Sequence, residues 1–490
     1  MATIHLTNFL TPPSTELSMF LLGDNQLQIA NGVNLHWKQG IITKDLGYSR
    51  VGGVLQANKS ITGLHNFRQS SLVQKILATV NNAAGTNLIL KYNNAGTWTD
   101  ITVGATWDAF EDSLVEMEDF IGYCFFVGYD ATDNVFLPVA SLTGTTFSAV
   151  TNVTNMPQAK YITRYRDRLY VANCYTGATA YPYRVYFSSI PVAGAITWTV
   201  ASDFLDVDFS EQITGITSNW DRLVMFTEFS ACFYDGDSKK KVFDTGCINN
   251  RSIQNYEGYL IWGNKHNIWV STGGRPTAIG NDIAELITNS TPANWRSAMV
   301  DDDYHLYLGA TEANGLAYTN CLAVFNFKLG YWRWRELYDN VTALCRFTSG
   351  DEDRLYLGTT GGAVFDKAKY TDATLYYADG VYSGYAGKPI ISHWRTKAYD
   401  FGDPSIEKTI NKIVAYSLYG QGMSLRFRII DRNNEVVTPF TDIGRLSSVV
   451  NYFDKKITGN FIQFEGKEYS SFQPFEVYGL SIQLFGDSKL

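Results

Sequence analysis

The middle of the sequence repeats a short pattern: an apolar segment, a polar turn with an acidic residue, and a leucine that begins a second apolar segment. Two looser copies occupy residues 63–78 and 115–128. Neighbouring leucines of the five clearer copies lie 37 to 54 residues apart. Such a period is typical of four-stranded propeller blades. Each unit can bury its faces only against its neighbours, so we expect the units to close into a ring. The acidic and leucine positions of the clearer copies are Asp167 and Leu169, Asp221 and Leu223, Glu257 and Leu260, Asp303 and Leu306, and Asp353 and Leu355.

Composition favours strands over helices. Aromatic residues make up 14% of the 490 residues and fall in short runs separated by Gly, Asn and Asp, as in strands and turns. The best helical candidate is the segment 281–288, about two turns long. We therefore expect an all-β chain with an irregular β-propeller of about seven blades over residues 61–380. A β-sandwich or a β-helix is the alternative, but a sandwich of similar strand count would not need such a period.

The pattern changes after a Gly-rich segment at residues 379–389. In the segment 424–429, Leu425, Phe427 and Ile429 alternate with polar residues, and a similar alternation runs from Tyr478 to Leu484. Alternation of this kind is typical of half-buried antiparallel strands. We expect residues 386–490 to form a separate, small C-terminal antiparallel β-sandwich.

Residues 1–60 are less periodic, and Pro12 and Pro13 interrupt them. We expect an extended N-terminal arm that either closes the propeller or reaches a neighbouring subunit. This segment lacks the basic start and long apolar core of a secretory signal. Nowhere in the sequence is an apolar run long enough for a membrane span.

The net charge is −8, with 40 Lys and Arg against 48 Asp and Glu. Tight, sequence-independent binding of nucleic acid depends on many contacts from Lys and Arg to phosphates. The charge therefore opposes such binding. It remains compatible with a channel through which DNA slides without being retained.

Residues with catalytic or metal-binding chemistry are scattered. The cysteines form no C-x-x-C and no pair with His at metal spacing, and we expect small buried thiols. The histidines form no H-x-x-x-H, and no Walker loop or dinucleotide fingerprint occurs. We assign no catalytic, cofactor-binding or metal-binding residue and expect no enzyme. The positions in question are Cys124, Cys174, Cys232, Cys247, Cys321 and Cys345, and His5, His36, His65, His266, His305 and His393.

Five further segments carry residue patterns that could be functional. The acidic runs 235–237 and 301–303 could bind a metal, but Asp in tight turns bonds the backbone, and we expect turns. The segment 332–335, Trp-Arg-Trp-Arg, could stack on sugars or bases, but we expect a strand with both Trp buried and both Arg outside. We expect Lys239–Lys241 at a solvated hairpin tip, or at most in contact with an acidic partner surface. The segment 96–98, Gly-Thr-Trp, matches only the end of a turn found in sialidase-like propellers.

The order of several motifs resembles the propeller-type virion proteins of tailed bacteriophages, such as the tail nozzle and tail hub proteins (also described as packaged-DNA stabilisation or tail accessory proteins) of short-tailed phages. The resemblance covers most of the chain, including a propeller followed by a sandwich. Its motifs are Asn31-Gly32 through Lys44 to Arg50, Arg184–Ile190 before Trp198 and the segment 206–209, Ile213–Ile216 with Asp221–Leu223, Phe229–Gly236, Gly258–Trp262, Ile268–Ser271, Gly274–Pro276 and Trp394–Gly402.

This resemblance implies a structural protein of the virion tail, made in the host cytoplasm, with no cofactor. It implies a homo-oligomeric ring, typically sixfold, with portal and adaptor proteins above and fibre, needle or plug proteins below. Such a ring would extend the DNA channel and help to retain packaged DNA. The alternative is a glycan-binding or glycan-cleaving β-propeller for recognition of a host surface. Cleavage would need two carboxyl groups ~5–9.5 Å apart in a cleft. A cellular scaffold propeller would have a more regular repeat.

Overall fold

The computed structural model describes residues 2–7, 29–38, 41–44, 47–69, 73–143, 147–207, 211–313, 315–349, 352–367, 377–378, 388–389, 391–401, 405–418, 423–431, 433, 435–447, 449–468 and 475–485. In this part of the chain the secondary structure is nearly all strand, which confirms the all-β prediction. Its α-helix, α1 (Ala284–Asn289), follows a 3-10 turn at Asn281–Ile283 and confirms the expected helical segment. Pro12, Pro13 and residues 379–387 of the Gly-rich segment lie outside the described residues.

Five short strands come first: β1 (Ala2–Thr7), β2 (Ile29–Val33), β3 (Leu35–Lys38), β4 (Ile41–Lys44) and β5 (Tyr48–Arg50). In the described part of the chain, seven sheets of sequential antiparallel strands follow, here numbered sheets 1 to 7. Sheet 1 contains β6 (Ile61–Arg68), β7 (Gln74–Asn81), β8 (Leu88–Asn94) and β9 (Thr97–Ile101). Sheet 2 contains β10 (Leu114–Phe120), β11 (Tyr123–Asp130), β12 (Val135–Phe136), β13 (Ala140–Thr143) and β14 (Val150–Asn152). Sheet 3 contains β15 (Gln158–Tyr165), β16 (Arg168–Thr176), β17 (Thr179–Phe187) and β18 (Phe204–Asp206).

Sheet 4 contains β19 (Gly215–Asn219), β20 (Arg222–Phe226), β21 (Ala231–Tyr234) and β22 (Lys239–Phe243). Sheet 5 contains β23 (Gln254–Tyr256), β24 (Tyr259–Gly263), β25 (Ile268–Ser271) and β26 (Thr277–Ala278). Sheet 6 contains β27 (Arg296–Val300), β28 (Asp303–Ala313), β29 (Leu316–Asn326) and β30 (Tyr331–Glu336). Sheet 7 contains β31 (Val341–Ser349), β32 (Glu352–Thr359), β33 (Val364–Lys367), β34 (Tyr377–Ala378) and β35 (Lys388–Pro389), and it also contains β5. Further 3-10 turns lie at Gly104–Trp107, Asn250–Ser252 and Pro292–Asn294.

The repeated sequence pattern marks the first hairpin of these sheets. Its five leucines lie on the second strand of sheets 3 to 7, and all are buried. Two of the turns have positive φ at both central residues: Trp220 and Asp221 have φ 51° and 54°, and Glu257 and Gly258 have 43° and 83°. These values suit the tight turns whose twist matches that of the flanking strands. Asp303 and Asp353 differ, since they lie on the second strands β28 and β32 rather than in the turn.

Each pair of consecutive sheets shares an apolar core. Separate clusters of buried side chains join sheets 1 and 2, 2 and 3, 3 and 4, 4 and 5, 5 and 6, and 6 and 7, and another joins sheet 7 to sheet 1. The first strands also contact one another: β6 contacts β10 and β31, for example, and β15 contacts β19. Hydrogen bonding nevertheless keeps the seven sheets separate, and the described strands form no closed sheet. Burial of both faces of every sheet is the main stabilising term of this arrangement.

Two more sheets combine both ends of the described chain. Sheet 8 has the order β3-β4-β42-β37-β40 with β1 also on β42, and sheet 9 has the order β2-β36-β41-β38-β39. Their faces share one core around Trp394, Ile413 and Leu425, against which Phe427 and Ile429 are partly buried. The expected alternation in 424–429 is therefore confirmed. The new strands are β36 (His393–Tyr399), β37 (Lys408–Leu418), β38 (Met423–Ile430), β39 (Val436–Arg445), β40 (Val450–Gly459), β41 (Phe461–Glu468) and β42 (Glu476–Phe485).

The N-terminal strands pair within their own chain. β1 and β4 pair with β42, and β2 pairs with β36. Three residues of β5 pair with β33 and so extend sheet 7. Between β2 and β3, Asn34 donates its backbone N–H to Trp334 (3.2 Å) and accepts from the backbone N–H of Glu336 (3.0 Å). The N-terminal segment thus connects sheets 8 and 9 to sheet 6.

This connection corrects one prediction. Trp332 and Trp334 are buried in β30, as expected, but Arg333 and Arg335 are also buried, with Arg333 1% exposed. The two-residue alternation of the segment 332–335 predicts the arginines on the outer face, opposite the tryptophans. Instead, β2 and β3 contact β30, and the arginines are buried.

Candidate functional site

The first strands surround a small central cavity of about 190 Å³. Its lining comes from sheets 1, 2, 5, 6 and 7 and from the 3-10 turn at Asn250–Ser252. Polar groups predominate in this lining, and Glu116 is the one carboxylate among its described residues. Residues that matter for its electrostatics are His65, Glu116, Arg251, Gln254, Arg296 and Ser297.

Arg251 links opposite parts of this cavity. Asn249 caps its 3-10 turn by accepting from the Arg251 backbone N–H at 2.9 Å, and the side chain then reaches across to sheets 1 and 2. There its Nε donates to Glu116 Oε1 at 2.7 Å, and its Nη2 donates to the carbonyls of Val115 (3.0 Å) and Thr62 (3.3 Å). One guanidinium thus satisfies groups on two neighbouring first strands.

Arg296 is the second cation of the cavity. It is buried and donates to three backbone carbonyls: Thr342 (2.7 Å), Ala293 (2.8 Å) and Trp295 (2.6 Å). Burial and the nearby charge of Arg251 lower the pKa of Arg296 to about 9. It therefore remains protonated at neutral pH. Glycoside hydrolysis requires two carboxyl groups. The described lining contains one, that of Glu116, and Arg251 holds it in an ion pair.

Three side chains of the kinds that bind metal ions lie together beside this cavity, and one of them, His65, also lines it. His65 on β6, Asp119 on β10 and Cys124 on β11 each offer one donor atom, and the three atoms lie within 4.8 Å of one another. His65 Nε2 and Asp119 Oδ1 are 2.8 Å apart. Asp119 also accepts from the Arg68 backbone N–H at 2.8 Å. This group was not predicted from the sequence, because His65 belongs to a different sheet from Asp119 and Cys124.

A larger cavity of about 410 Å³ lies between sheets 6 and 9. Glu465 is buried beside it and contacts three basic side chains: His393 (2.7 Å), Arg395 (2.8 Å) and Arg426 (2.6 Å). Burial raises the pKa of Glu465, but hydrogen bonds and charges from His393 and Arg395 outweigh it and bring the pKa to about 2. The cluster is thus a structural centre in which one ionised carboxylate is shared by two guanidinium groups and by His393, whose pKa is lowered by burial.

The acidic runs have different roles. Asp235 Oδ1 accepts from the backbone N–H groups of Asp237 (3.0 Å) and Ser238 (2.9 Å), so this residue supports a turn, as expected. Asp303 instead begins β28 and forms a buried ion pair with Arg333 at 2.5 Å. A turn role for Asp303 is therefore wrong. The burial of Arg333, which sequence analysis placed outside, explains the difference.

Other predicted positions have ordinary surroundings. All six cysteines are buried and free of disulfides, as expected. The lysines 239–241 lie on β22 rather than at a hairpin tip, and Lys241 pairs with Asp244 at 2.7 Å. Trp98 donates its indole N–H to the carbonyl of Val51 at 2.8 Å. His5 Nδ1 lies 2.7 Å from Ser481 Oγ.

Both β39 and β40 are edge strands that expose large apolar side chains. β39 is the last strand of sheet 9 and β40 the last strand of sheet 8. Val436 and Val437 on β39 are 51% and 59% exposed, and Tyr452 on β40 is 65% exposed. Edge strands with exposed apolar residues are available for pairing with another chain.

Comparison of the chain with protein-family models gives no match, and a search of curated proteins finds no similar sequence. Among the described residues, no helix has the length and apolar character needed to cross a membrane.

Proposed function

We propose that this chain is a structural subunit of a bacteriophage tail whose copies form a nozzle or hub ring, typically sixfold. The ring would extend the DNA channel, help to retain packaged DNA and dock fibres or a plug. The proposal extends the resemblance in the order of the sequence motifs. It also places the protein in the virion, with portal and adaptor proteins above it.

The observation that best supports the proposal is the cyclic series of apolar cores. Every one of sheets 1 to 7 packs against the sheet before it and the sheet after it, and sheet 7 packs against sheet 1. We infer that these sheets are the blades of an irregular seven-bladed propeller and that sheets 8 and 9 form the C-terminal β-sandwich. This is the domain order of the nozzle and hub proteins that the sequence resembles.

The centre of the propeller favours a structural role. Arg251 and Arg296 donate hydrogen bonds to backbone carbonyls, and Arg251 also donates to Glu116. These bonds link the first strands of neighbouring sheets. A catalytic centre would keep an ionisable group directed at a substrate. Here the polar groups of the cavity satisfy one another.

The edge strands supply a surface for ring contacts. A ring requires heterologous interfaces, in which one face of a subunit contacts a different face of the next. We assign the first of these faces to one of the two edge strands, either β39 with Val436 and Val437 or β40 with Tyr452. The net charge of −8 fits a channel past which DNA moves without being held.

The test is the oligomeric state of the full chain at micromolar concentration, measured by native mass spectrometry and negative-stain imaging. We expect closed rings, and antibody labelling of virions should place the protein at the tail. A persistent monomer that is absent from particles would overturn the proposal. Binding of that monomer to a saccharide panel would instead establish the glycan-recognition alternative.

Point variants test the ring contact without removing strands. Either V437D or Y452D should convert rings to monomers while the circular dichroism spectrum stays unchanged. V192D is the matched control, because Val192 is 76% exposed but lies in a loop of sheet 3. Intact rings in both edge-strand variants would show that the contact lies elsewhere on the subunit.

A further inference from the structure

The most specific group of side chains outside the ion pairs described above is that of His65, Asp119 and Cys124. Their donor atoms are an imidazole nitrogen, a carboxylate oxygen and a thiol sulfur, all within 4.8 Å of one another. Two of the residues are partly open to solvent, with His65 23% and Asp119 26% exposed at their side chains. Cys124 lies beneath them and is fully buried.

Backbone structure fixes this arrangement. Ile121 and Gly122 form a tight turn with φ 47° and 82°, so β10 and β11 pair in register. In that register Asp119 is directly opposite Cys124, and the two side chains share one face of sheet 2. β6 contacts β10, which brings His65 of sheet 1 to the same place. The group therefore spans two neighbouring sheets.

We propose that His65, Asp119 and Cys124 bind a divalent transition-metal ion of the zinc type, with solvent in the remaining coordination position. Mixed imidazole, carboxylate and thiolate ligands are those that Zn²⁺ prefers. The open side at His65 and Asp119 provides a path of entry for the ion.

Binding has a definite proton balance. Without metal the Cys124 thiol is fully buried and carries its proton. The metal forms a bond to sulfur as the S–H bond breaks, and the proton passes to solvent. The hydrogen bond between His65 and Asp119 is replaced by their bonds to the ion.

The role of such an ion would be structural. His65 belongs to sheet 1 and the other two ligands to sheet 2, so the ion would join neighbouring sheets near their first strands. Unfolding would then have to release the metal, and binding would raise the melting temperature. This inference does not depend on the proposed ring.

The test uses the full-length protein after treatment with a chelator, titrated with Co²⁺ as a spectroscopic probe and then with Zn²⁺ in competition. We expect one equivalent of Co²⁺ to give the absorption of thiolate ligation, and Zn²⁺ to abolish it. C124S should lose the thiolate band, and H65Q and D119N should weaken binding by more than about tenfold. C174S is the matched control, because Cys174 is also fully buried but lies in sheet 3, away from this group.

The outcomes are separable from effects on folding. Each variant is first compared with the wild type by circular dichroism and melting temperature in the presence of chelator. A wild-type protein that gives no thiolate band overturns the proposal. So does a folded C124S variant that binds Co²⁺ as tightly as the wild type and with the same spectrum.

Discussion

Replacement of Glu465 by Gln should strongly destabilise sheets 8 and 9. The Glu465 side chain is 1% exposed and is the shared partner of His393, Arg395 and Arg426. Glutamine has nearly the same shape but no charge, so the two partly buried guanidinium groups of Arg395 and Arg426 lose their common counter-ion. Removal of one partner from a buried ion pair costs about 3–5 kcal/mol.

The pKa of Glu465 gives an independent magnitude. It falls from a usual value near 4.5 to about 2. At ~1.36 kcal/mol per pKa unit, this shift corresponds to about 3 kcal/mol of stability. Because the pKa is lower in the folded state, the stability is present above pH ~4.5 and is lost as the pH falls towards 2.

The assay is differential scanning calorimetry combined with hydrogen exchange of the peptide that covers β41. We expect E465Q to unfold this region at lower temperature at pH 7 and to lose less stability than the wild type between pH ~4.5 and 2. E407Q is the control, because Glu407 is exposed near the start of β37. Ordinary surface substitutions change the free energy of unfolding by less than about 0.5 kcal/mol. A difference this small between E465Q and the wild type at pH 7 would refute the reasoning.

Two further predictions concern sheets 1 to 7. E116Q should lower the free energy of unfolding by about 1.5–3 kcal/mol, because Arg251 loses a charged hydrogen-bond partner. Urea unfolding would measure this loss, and an unchanged midpoint and slope would contradict the structural role of the pair. G258A should lower the free energy of unfolding by about 1–2 kcal/mol, because Gly258 has φ 83°. An added methyl group would meet no close neighbour there, so the variant tests backbone strain alone. The matched G274A, at another glycine without close neighbours but outside the positive-φ region, should be near neutral in the same thermal melts, and equal losses in both variants would exclude a turn-specific effect.

Structural features that are decided within one hairpin could be predicted from the sequence. The acidic turn and following leucine mark local features, because a two-residue turn fixes the register of the strands that flank it. Leu223 and Leu260 are accordingly buried on the second strands of their sheets. The alternation in 424–429 likewise depends only on neighbouring residues, and its apolar face lies towards the core.

Contacts between distant segments of the chain could not be predicted in this way. The burial of Arg333 depends on strands about 300 residues earlier in the chain, which no local pattern indicates. Asp119 and Cys124 flank a two-residue turn, so their proximity could have been predicted from the hairpin alone. His65 could not have been added, because its contact with Asp119 requires the packing of one sheet against the next.

The strand order of sheet 8 has a consequence for synthesis in the cell. β42 lies in the middle of this sheet, between β4 and β37, and β1 also pairs with it. The first strand of the chain therefore has no partner until translation has passed Phe485. In sheet 7, β5 likewise cannot pair until β33 has been synthesised. A ribosome that stops early releases a chain in which β1 and β5 lack these partners, and chaperones and proteases can recognise such unpaired strand edges.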